Sequence, residues 1–231
     1  MTTVFVSHPQ SKLAHYFGDR ATEALRAIAE VRFNPTDNDL SSAELAELAQ
    51  GCDAIISYRQ TVGDEALFAA LPDLKAFVRC AIDIRNIDVA SASRHGVMVT
   101  QASAGFIASV SEWIVGAMID LGRHISASTA LYHAGRPVVP AMGRELRGST
   151  LGVIGYGQIS RYLCDVALAL GMRIVVHDPY ASTGRAEFAQ VSLDALLAQS
   201  DFVVCLAPAT EATENLMNAT AFAAMRPHAF F

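Results

Sequence analysis

Short apolar runs rich in valine and isoleucine alternate along the chain with alanine- and leucine-rich segments whose apolar positions recur at helical spacing. The runs predict strands, and the segments between them predict helices. The predicted strands are TVFV (3–6), AII (54–56), LKAFV (74–78), VMVT (97–100), TLGVI (150–154), RIVVH (173–177), DFVVC (201–205) and HAFF (228–231). The predicted helices lie near 19–30, 41–49, 64–70, 86–95, 106–131, 158–170, 193–199 and 219–225.

This alternation fixes the fold class. Strands that are apolar throughout and separated by helices are typical of parallel sheets with helices on both faces, so we expect an α/β protein. The units before residue 101 predict one sheet and those after residue 149 a second, with a long helical pattern from Phe106 between them. We therefore predict two domains, residues 1–101 and 102–231, and assign the long helix to the second.

Composition narrows the class of protein. Of the 231 residues, 52% are apolar and 17% are charged, which excludes a disordered chain. The most apolar helical stretch, residues 104–121, carries Glu112 and Asp120, so no membrane span is expected. A net charge of −6 argues against nucleic acid or anionic membranes as partners. The first residues lack the basic and apolar regions of a secretory signal, and we expect a cytoplasmic protein.

The four cysteines lie far apart, with no CxxC pair and no Cys/His grouping at zinc spacing. We expect them to be reduced thiols packed as small apolar residues, and we predict no metal site. They are Cys52, Cys80, Cys164 and Cys205.

Residues 150–179 carry the most informative motif. An apolar strand runs into Gly155-Tyr156-Gly157, a helical pattern follows, and a second strand ends at Asp178. This is the βαβ dinucleotide fingerprint: Gly155 permits the tight turn, and Gly157 lets a pyrophosphate approach the backbone at a helix N-terminus. Asp178 follows Gly157 by 178 − 157 = 21 residues, where a carboxylate accepts hydrogen bonds from the ribose hydroxyls.

An alternative interpretation is an ordinary glycine turn, with Asp178 only capping a strand. A bare pair of glycines would not exclude that alternative, but the full order of strand, glycines, helix, strand and acid favours the cofactor site. One position departs from the pattern, because Ser160 stands at the third glycine. The carboxylate of Asp178 would repel a ribose 2′-phosphate, so we predict NAD rather than NADP.

Several blocks together resemble the D-isomer-specific 2-hydroxyacid dehydrogenase family, of the kind that includes D-3-phosphoglycerate dehydrogenase. The resemblance covers about residues 50–231. It implies a flavodoxin-like N-terminal domain for substrate and a Rossmann-type NAD-binding domain that begins with a long interdomain helix. The blocks are Asn86-Ile87-Asp88, His95-Gly96-Val97, Ser109-Val110 with Glu112, LRGSTLGVIGYGQI, GMRIVVHDP, SLDALLAQSDFVVCLAPATEATENLMN and FAAMRP.

The resemblance also implies further cofactor contacts. Gln158 and Ile159 fall where the family's loop meets the pyrophosphate. The backbone of Leu206-Ala207-Pro208 falls along the cofactor, and Thr213 falls where a side chain or backbone group commonly touches it. An ordinary strand-end turn at Pro208 and a helix cap at Thr213 are the competing interpretations.

The substrate loop departs from the family. A glycine-rich loop usually binds the substrate carboxylate through backbone N–H groups, and Ile82-Asp83-Ile84 fall at that loop here. Asp83 stands in a glycine place, and its carboxylate would repel an anionic substrate unless Arg79 or Arg85 pairs with it.

The resemblance implies an NAD-dependent oxidoreductase that transfers a hydride between nicotinamide and C2 of a small D-2-hydroxy or 2-keto acid, and it implies a homodimer. The family's catalytic arginine, glutamate and histidine would come after the strand that begins at His228. We therefore expect no catalytic residue in this chain and an incomplete NAD-binding domain. Two further positions depart from the family, since Ser103-Ala104 replaces its usual Pro-Gly and Phe106 its asparagine. The alternative is a non-catalytic NAD(H)-binding sensor or corepressor-like module, which the altered loop at Asp83 motivates.

Overall fold

The computed structural model describes residues 1–231, which divide into two compact units, Met1–Ser103 and Ala104–Phe231. The division lies close to the boundary that we place after residue 101. None of the helices is both long and apolar enough to cross a membrane.

The first unit is a five-stranded parallel sheet with the order β2-β1-β3-β4-β5. This order is the flavodoxin-like 2-1-3-4-5 arrangement, which confirms the predicted fold class. The strands are β1 (Thr3–Val6), β2 (Glu30–Phe33), β3 (Ala54–Ser57), β4 (Ala76–Arg79) and β5 (Met98–Thr100). The helices are α1 (Gln10–Tyr16), α2 (Gly18–Arg26), α3 (Ser42–Leu48), α4 (Glu65–Ala70) and α5 (Val89–Arg94).

Apolar burial and helix capping explain these elements. Phe5 and Ile55 on the central strands are at most 1% exposed and pack in one cluster with Phe68 of α4. Ser41 begins α3 with a capping box, since its side chain accepts from the Glu44 N–H and the Glu44 carboxylate accepts from the Ser41 N–H. The cap satisfies amide groups that the first helical turn leaves unpaired.

The predicted helix near 19–30 begins where α2 begins, at Gly18, but its predicted end is wrong. The structure has a separate helix α1, ends α2 at Arg26 and places β2 over 30–33. In β2 exposed and half-buried residues alternate, and Glu30 pairs with Arg32 at 3.3 Å. Because β2 is an edge strand with one charged face, it lacks the continuous apolar run from which the other strands are predicted.

The second unit contains a four-stranded parallel sheet with the order β8-β7-β6-β9. This corresponds to 3-2-1-4 of the doubly wound dinucleotide-binding order and confirms the predicted Rossmann-type sheet. The strands are β6 (Thr150–Ile154), β7 (Arg173–His177), β8 (Phe188–Gln190) and β9 (Phe202–Cys205). The helices are α6 (Ile107–Arg123), α7 (Ile125–His133), α8 (Gln158–Ala169), α9 (Leu193–Gln199) and α10 (Ala219–Ala224).

The long helix predicted over 106–131 is two helices. The chain breaks at His124, which has a left-handed backbone with φ 56°. Asp120 stabilises the break, because its carboxylate accepts the Ser126 N–H and the Ser126 hydroxyl, both at 2.6 Å. The apolar pattern continues on both sides of His124, so the periodicity of the sequence does not show the break.

The last residues differ from the predicted strand over 228–231. Only Phe230 pairs with the sheet, through a single bridge to Phe202, and the two rings stack at 5.3 Å. β8 is a further strand that the sequence patterns do not predict; it has three residues, two of them exposed.

The packing prediction for the cysteines is half correct. Cys52 and Cys164 are buried, whereas Cys80 and Cys205 are exposed. Cys205 ends β9, whose burial decreases toward its carboxyl end, and Cys80 lies in the turn after β4. An apolar sequence neighbourhood therefore does not bury a residue at a strand end.

His8, directly after the turn from β1, is a fully buried histidine. Its ring lies 5.1–5.2 Å from the rings of Tyr16, Phe17 and Tyr58, and neither ring nitrogen has a hydrogen-bond partner. Burial, and secondarily the nearby Arg79 cation, lowers the pKa of His8 from 6.5 to about 4. The folded first unit therefore holds a neutral imidazole at neutral pH.

We predict that the first unit loses stability as the pH falls from 6.5 to 4. The unfolded chain takes up a proton at His8 in this range and the folded chain does not, so the free energy of unfolding decreases by up to about 3 kcal/mol. Urea unfolding is followed by circular dichroism. The transition of the first unit is identified as the one that the fluorescence of Trp113, in the second unit, does not report. His8→Phe should flatten this dependence and the exposed His15→Phe should preserve it; an unchanged slope in His8→Phe would contradict the assignment.

Candidate functional site

The candidate site lies at the carboxyl ends of β6, β7 and β9. Gly155 follows β6 directly, Asp178 follows β7, and Leu206 follows β9. β7 and β8 lie on one side of β6 and β9 lies on the other, so the strand order reverses between β6 and β9. In open α/β sheets ligands bind in the crevice outside this reversal point.

Gly155 is required by the backbone itself. Its φ is +88°, and a Cβ there would lie 2.7 Å from the Ala207 nitrogen and 2.8 Å from the Ala207 Cα. Only glycine has no side chain to meet this neighbouring backbone and adopts such a φ without strain. The turns after β6 and β9 can therefore run side by side.

Gly157 is different, since a Cβ there would meet no atom within 4 Å. It is the N-cap of α8, and both Gly157 and the following Gln158 are exposed. The first N–H groups of a helix have no partners inside it, and the helix dipole places positive charge at this end. The open space and these donors fit a pyrophosphate.

Asp178 is held by the backbone around it. Its carboxylate accepts the Tyr156 N–H at 2.7 Å and the Tyr180 and Ala181 N–H groups at 2.8 Å. Burial alone would raise the pKa of Asp178, but these three hydrogen bonds lower it below its usual value. A carboxylate has about four acceptor positions, so one is left for a ribose hydroxyl.

A pocket of about 310 Å³ opens at this point and brings together five of the predicted cofactor residues. These are Gly155, Asp178, Ala207, Pro208 and Thr213. Gly157, Gln158, Ile159 and Leu206 are not part of its lining. The first three lie at the start of α8, and Leu206 bonds through its N–H to the Ile154 carbonyl at 2.8 Å.

The pocket also contains residues that the sequence argument does not name. Tyr180 is 90% exposed at its edge, and His177 lines it while directing Nδ1 to the Val191 carbonyl at 3.1 Å. Their positions beside Asp178 are a signal that could have indicated them. The others are Ile154, Pro179, Thr210, Ala212 and Leu216.

The Thr213 side chain forms hydrogen bonds within its own turn. Its hydroxyl donates to the Pro208 carbonyl at 2.6 Å and accepts the Thr210 N–H at 2.8 Å. The competing interpretation as a cap therefore describes the hydroxyl, although the residue also lines the pocket.

The predicted substrate loop lies in the first unit, beside a second pocket of about 400 Å³. Asp83 lines this pocket and pairs with Arg85 through both carboxylate oxygens at 2.8–3.1 Å. These bonds from Arg85 lower the pKa of Asp83 to about 2. Ile82 is exposed and Ile84 packs against the core, and neither lines the pocket.

Arg79, which the sequence argument names only as a possible partner of Asp83, is buried at the carboxyl end of β4. Its guanidinium donates to the carbonyls of Tyr58 at 2.6 Å, Asp83 at 3.1 Å and Arg59. Arg79 therefore joins the loops after β3 and β4 through neutral partners. A charged residue directly after an apolar strand is the signal that could have indicated this role.

The reversed strand order, the open glycine and the anchored aspartate define a dinucleotide-binding α/β protein. A sequence model described as D-isomer specific 2-hydroxyacid dehydrogenase, NAD binding domain, matches residues 115–231. The chain is 32% identical to the D-3-phosphoglycerate dehydrogenase of Synechocystis over 211 residues, which are 90% of this chain and 38% of that protein. It is also 32% identical to the (S)-sulfolactate dehydrogenase of Chromohalobacter salexigens over 220 residues, 93% of this chain and 71% of that protein.

Structural similarity agrees with these matches. The structure resembles apo D-lactate dehydrogenase from Escherichia coli with a TM-score of 0.82 and 25% identity, covering 100% of this chain and 72% of that one. The chain belongs to the D-isomer specific 2-hydroxyacid dehydrogenase family, and the prediction of NAD as cofactor is confirmed. It spans 38% of the length of the phosphoglycerate dehydrogenase and 71% of that of the sulfolactate dehydrogenase.

We predict that only one of the two glycines in this turn is needed for stability. Gly155→Ala should lower the melting temperature of the second unit by roughly 4 °C or more, because strain at positive φ costs about 1 kcal/mol before the clash with Ala207 is added. Gly157→Ala, with open space at Cβ, should leave the melting temperature unchanged. The fluorescence of Trp113 reports both, and equal melting temperatures would contradict the geometry.

Proposed function

We propose that the protein is an NAD-dependent oxidoreductase that transfers a hydride between nicotinamide and C2 of a small D-2-hydroxy or 2-keto acid. The observation that carries this proposal is the site at β6, β7 and β9, where open space at Gly157 and an anchored Asp178 occur together. Membership of the family supports it. Bound NAD would supply the hydride acceptor. The relatives described above are dehydrogenases by name, and the comparisons do not support the non-catalytic alternative.

The chain's own residues would bind and orient the dinucleotide. The backbone around Gly157, Gln158 and Ile159 would donate N–H groups to the pyrophosphate at the start of α8. The free acceptor position of Asp178 would take a ribose hydroxyl, and its charge would repel the 2′-phosphate of NADP. Gly155, Ala207, Pro208 and Thr213 would shape the wall beside the cofactor, and the backbone of Leu206 would lie behind it.

The substrate is proposed to be an anion bound near the loop at Ile82, Asp83 and Ile84. Three arginines, Arg59, Arg79 and Arg85, line the pocket there with a single acid, Asp83. Because Arg85 neutralises Asp83, the remaining charge of the pocket is positive, which favours a carboxylate.

The first test measures binding of NADH to the 231-residue chain. We expect saturable enhancement of NADH fluorescence, and Gly157→Val should abolish it by filling the space that the pyrophosphate needs. Gly105→Val is the matched control, because Gly105 also has open space around its Cβ position. Unchanged affinity in Gly157→Val would refute the proposed pyrophosphate site.

Turnover is measured as loss of NADH absorbance with a panel of 2-keto acids, on the protein produced from its complete gene. NADH binding without turnover of any acid would favour the non-catalytic alternative.

We further propose that the protein is a homodimer that associates through α6 and α7. These helices carry several large apolar side chains in water, including Trp113 and Tyr132, which are 73% and 75% exposed. Exposed apolar patches of this kind mark protein interfaces. The others are Ile119, Leu121 and Ile125.

In sedimentation velocity we expect a dimer for the wild type and a shift toward monomer for Trp113→Ser and Tyr132→Ser, because each removes exposed apolar area. Phe222→Ser, on the exposed surface of α10, is the control and should remain dimeric. A wild type that sediments as a monomer at micromolar concentration would overturn this proposal.

The proposed location is the cytoplasm. The four cysteines are free thiols, which suits a reducing compartment. NAD(H), the cofactor of the family's matched domain, would be available there.

A further inference from the structure

Ser160 is the residue at which the glycine turn departs from the dinucleotide fingerprint. It is fully buried in the first turn of α8, and its hydroxyl donates to the Gly155 carbonyl at 2.6 Å. A glycine at this position would allow close packing of helix and strand but would offer no donor. The hydroxyl therefore adds a contact inside the turn.

The acceptor of this bond belongs to a peptide group that also reaches Asp178. The Gly155 carbonyl and the Tyr156 N–H are the two polar ends of one planar peptide unit. The Tyr156 N–H donates to the Asp178 carboxylate at 2.7 Å. A chain of hydrogen bonds thus runs from the Ser160 hydroxyl through one peptide group to the acid beside the pocket, and such chains polarise their members.

Without these two hydrogen bonds, the orientation of the Gly155–Tyr156 peptide would be weakly fixed. Gly155 has positive φ and no side chain, so packing of its own side chain does not fix the orientation of the following peptide. The serine and the aspartate hold its opposite ends. A second hydroxyl contacts the first turn of α8, because Ser111 of α6 donates to the Ile107 carbonyl of its own helix at 2.9 Å and to the Ile159 carbonyl at 3.3 Å.

We propose that Ser160 is a positioning residue for the cofactor's ribose: through the Gly155–Tyr156 peptide it holds Asp178 so that its free acceptor position faces the pocket. This inference rests on the proposed binding of NAD. Because Ser160 is fully buried, it would itself touch neither substrate nor cofactor. Loss of its hydroxyl leaves the buried Gly155 carbonyl without this donor, lets the peptide turn and weakens the Tyr156 hydrogen bond to Asp178.

The test compares Ser160→Ala with Ser200→Ala. Ser200 is an ideal control, because it is also fully buried and its hydroxyl donates to a carbonyl, that of Leu196, at the same 2.6 Å. Affinities for NADH and NADPH are measured by fluorescence titration, together with the melting temperature. Ser160→Ala should bind NADH about tenfold more weakly, because the ribose loses a well-aligned hydrogen bond to the Asp178 carboxylate, and it should lose part of its preference for NADH over NADPH. Ser200→Ala should keep both affinities even where its melting temperature falls as much.

A readout without cofactor completes the test. Carboxyl NMR of the chain alone should show the pKa of Asp178 rising in Ser160→Ala, since the Tyr156 hydrogen bond lowers it in the wild type. Unchanged Asp178 titration, an unchanged ratio of the two affinities, or an equal loss of NADH affinity in both variants would overturn the inference. A wild type that binds neither dinucleotide would instead overturn the proposed function, while the Asp178 titration would still decide the role of Ser160.

Discussion

The approach of two backbones, at Gly155 and Ala207, is the constraint on which the second unit depends. β6 and β9 are paired up to their last residues, so the turns that leave them emerge side by side, with no room for a Cβ between them. That contact places the start of α8 on one side of the crevice and the segment after β9 on the other. The pocket, the helix N-terminus and the aspartate after β7 then follow from the direction of three parallel strands.

The sequence predicts the interior of both sheets well because burial on two faces leaves an unmistakable apolar run. The strands over 150–154 and 173–177 have the predicted bounds. At one edge of each sheet the prediction fails, since β2 and β8 each keep exposed polar positions that resemble loop or helix, whereas the apolar edge strands β5 and β9 are predicted. The break at His124 depends on a single left-handed residue and a side-chain bond from Asp120, which periodicity does not register.

In the candidate site, too, some residues could be predicted from the sequence and others could not. Gly155, Gly157 and Asp178 could be predicted because their residue types are required at fixed distances along the chain. The buried position of Arg79 and the partner of the Ser160 hydroxyl could not, because each depends on carbonyl groups whose location is known only after folding. The sequence offers many possible hydrogen-bond acceptors for such a polar residue, and only the folded structure shows which of them lie within reach.

Asp201, which directly precedes β9, forms a cluster of ion pairs and hydrogen bonds at the amino ends of the strands in the second sheet. Its buried carboxylate accepts the Thr150 N–H and side-chain donors from Arg144, Arg226 and His228, at distances of 2.7–3.1 Å. The amino ends of β6 and β9 are thus joined through a carboxylate that two arginines also contact, whereas their carboxyl ends meet through peptide contacts alone. The Asp201 ion pairs therefore stabilise the sheet at the end remote from the pocket. At the end that would bind an anionic dinucleotide, this cluster of charges does not compete with the ligand.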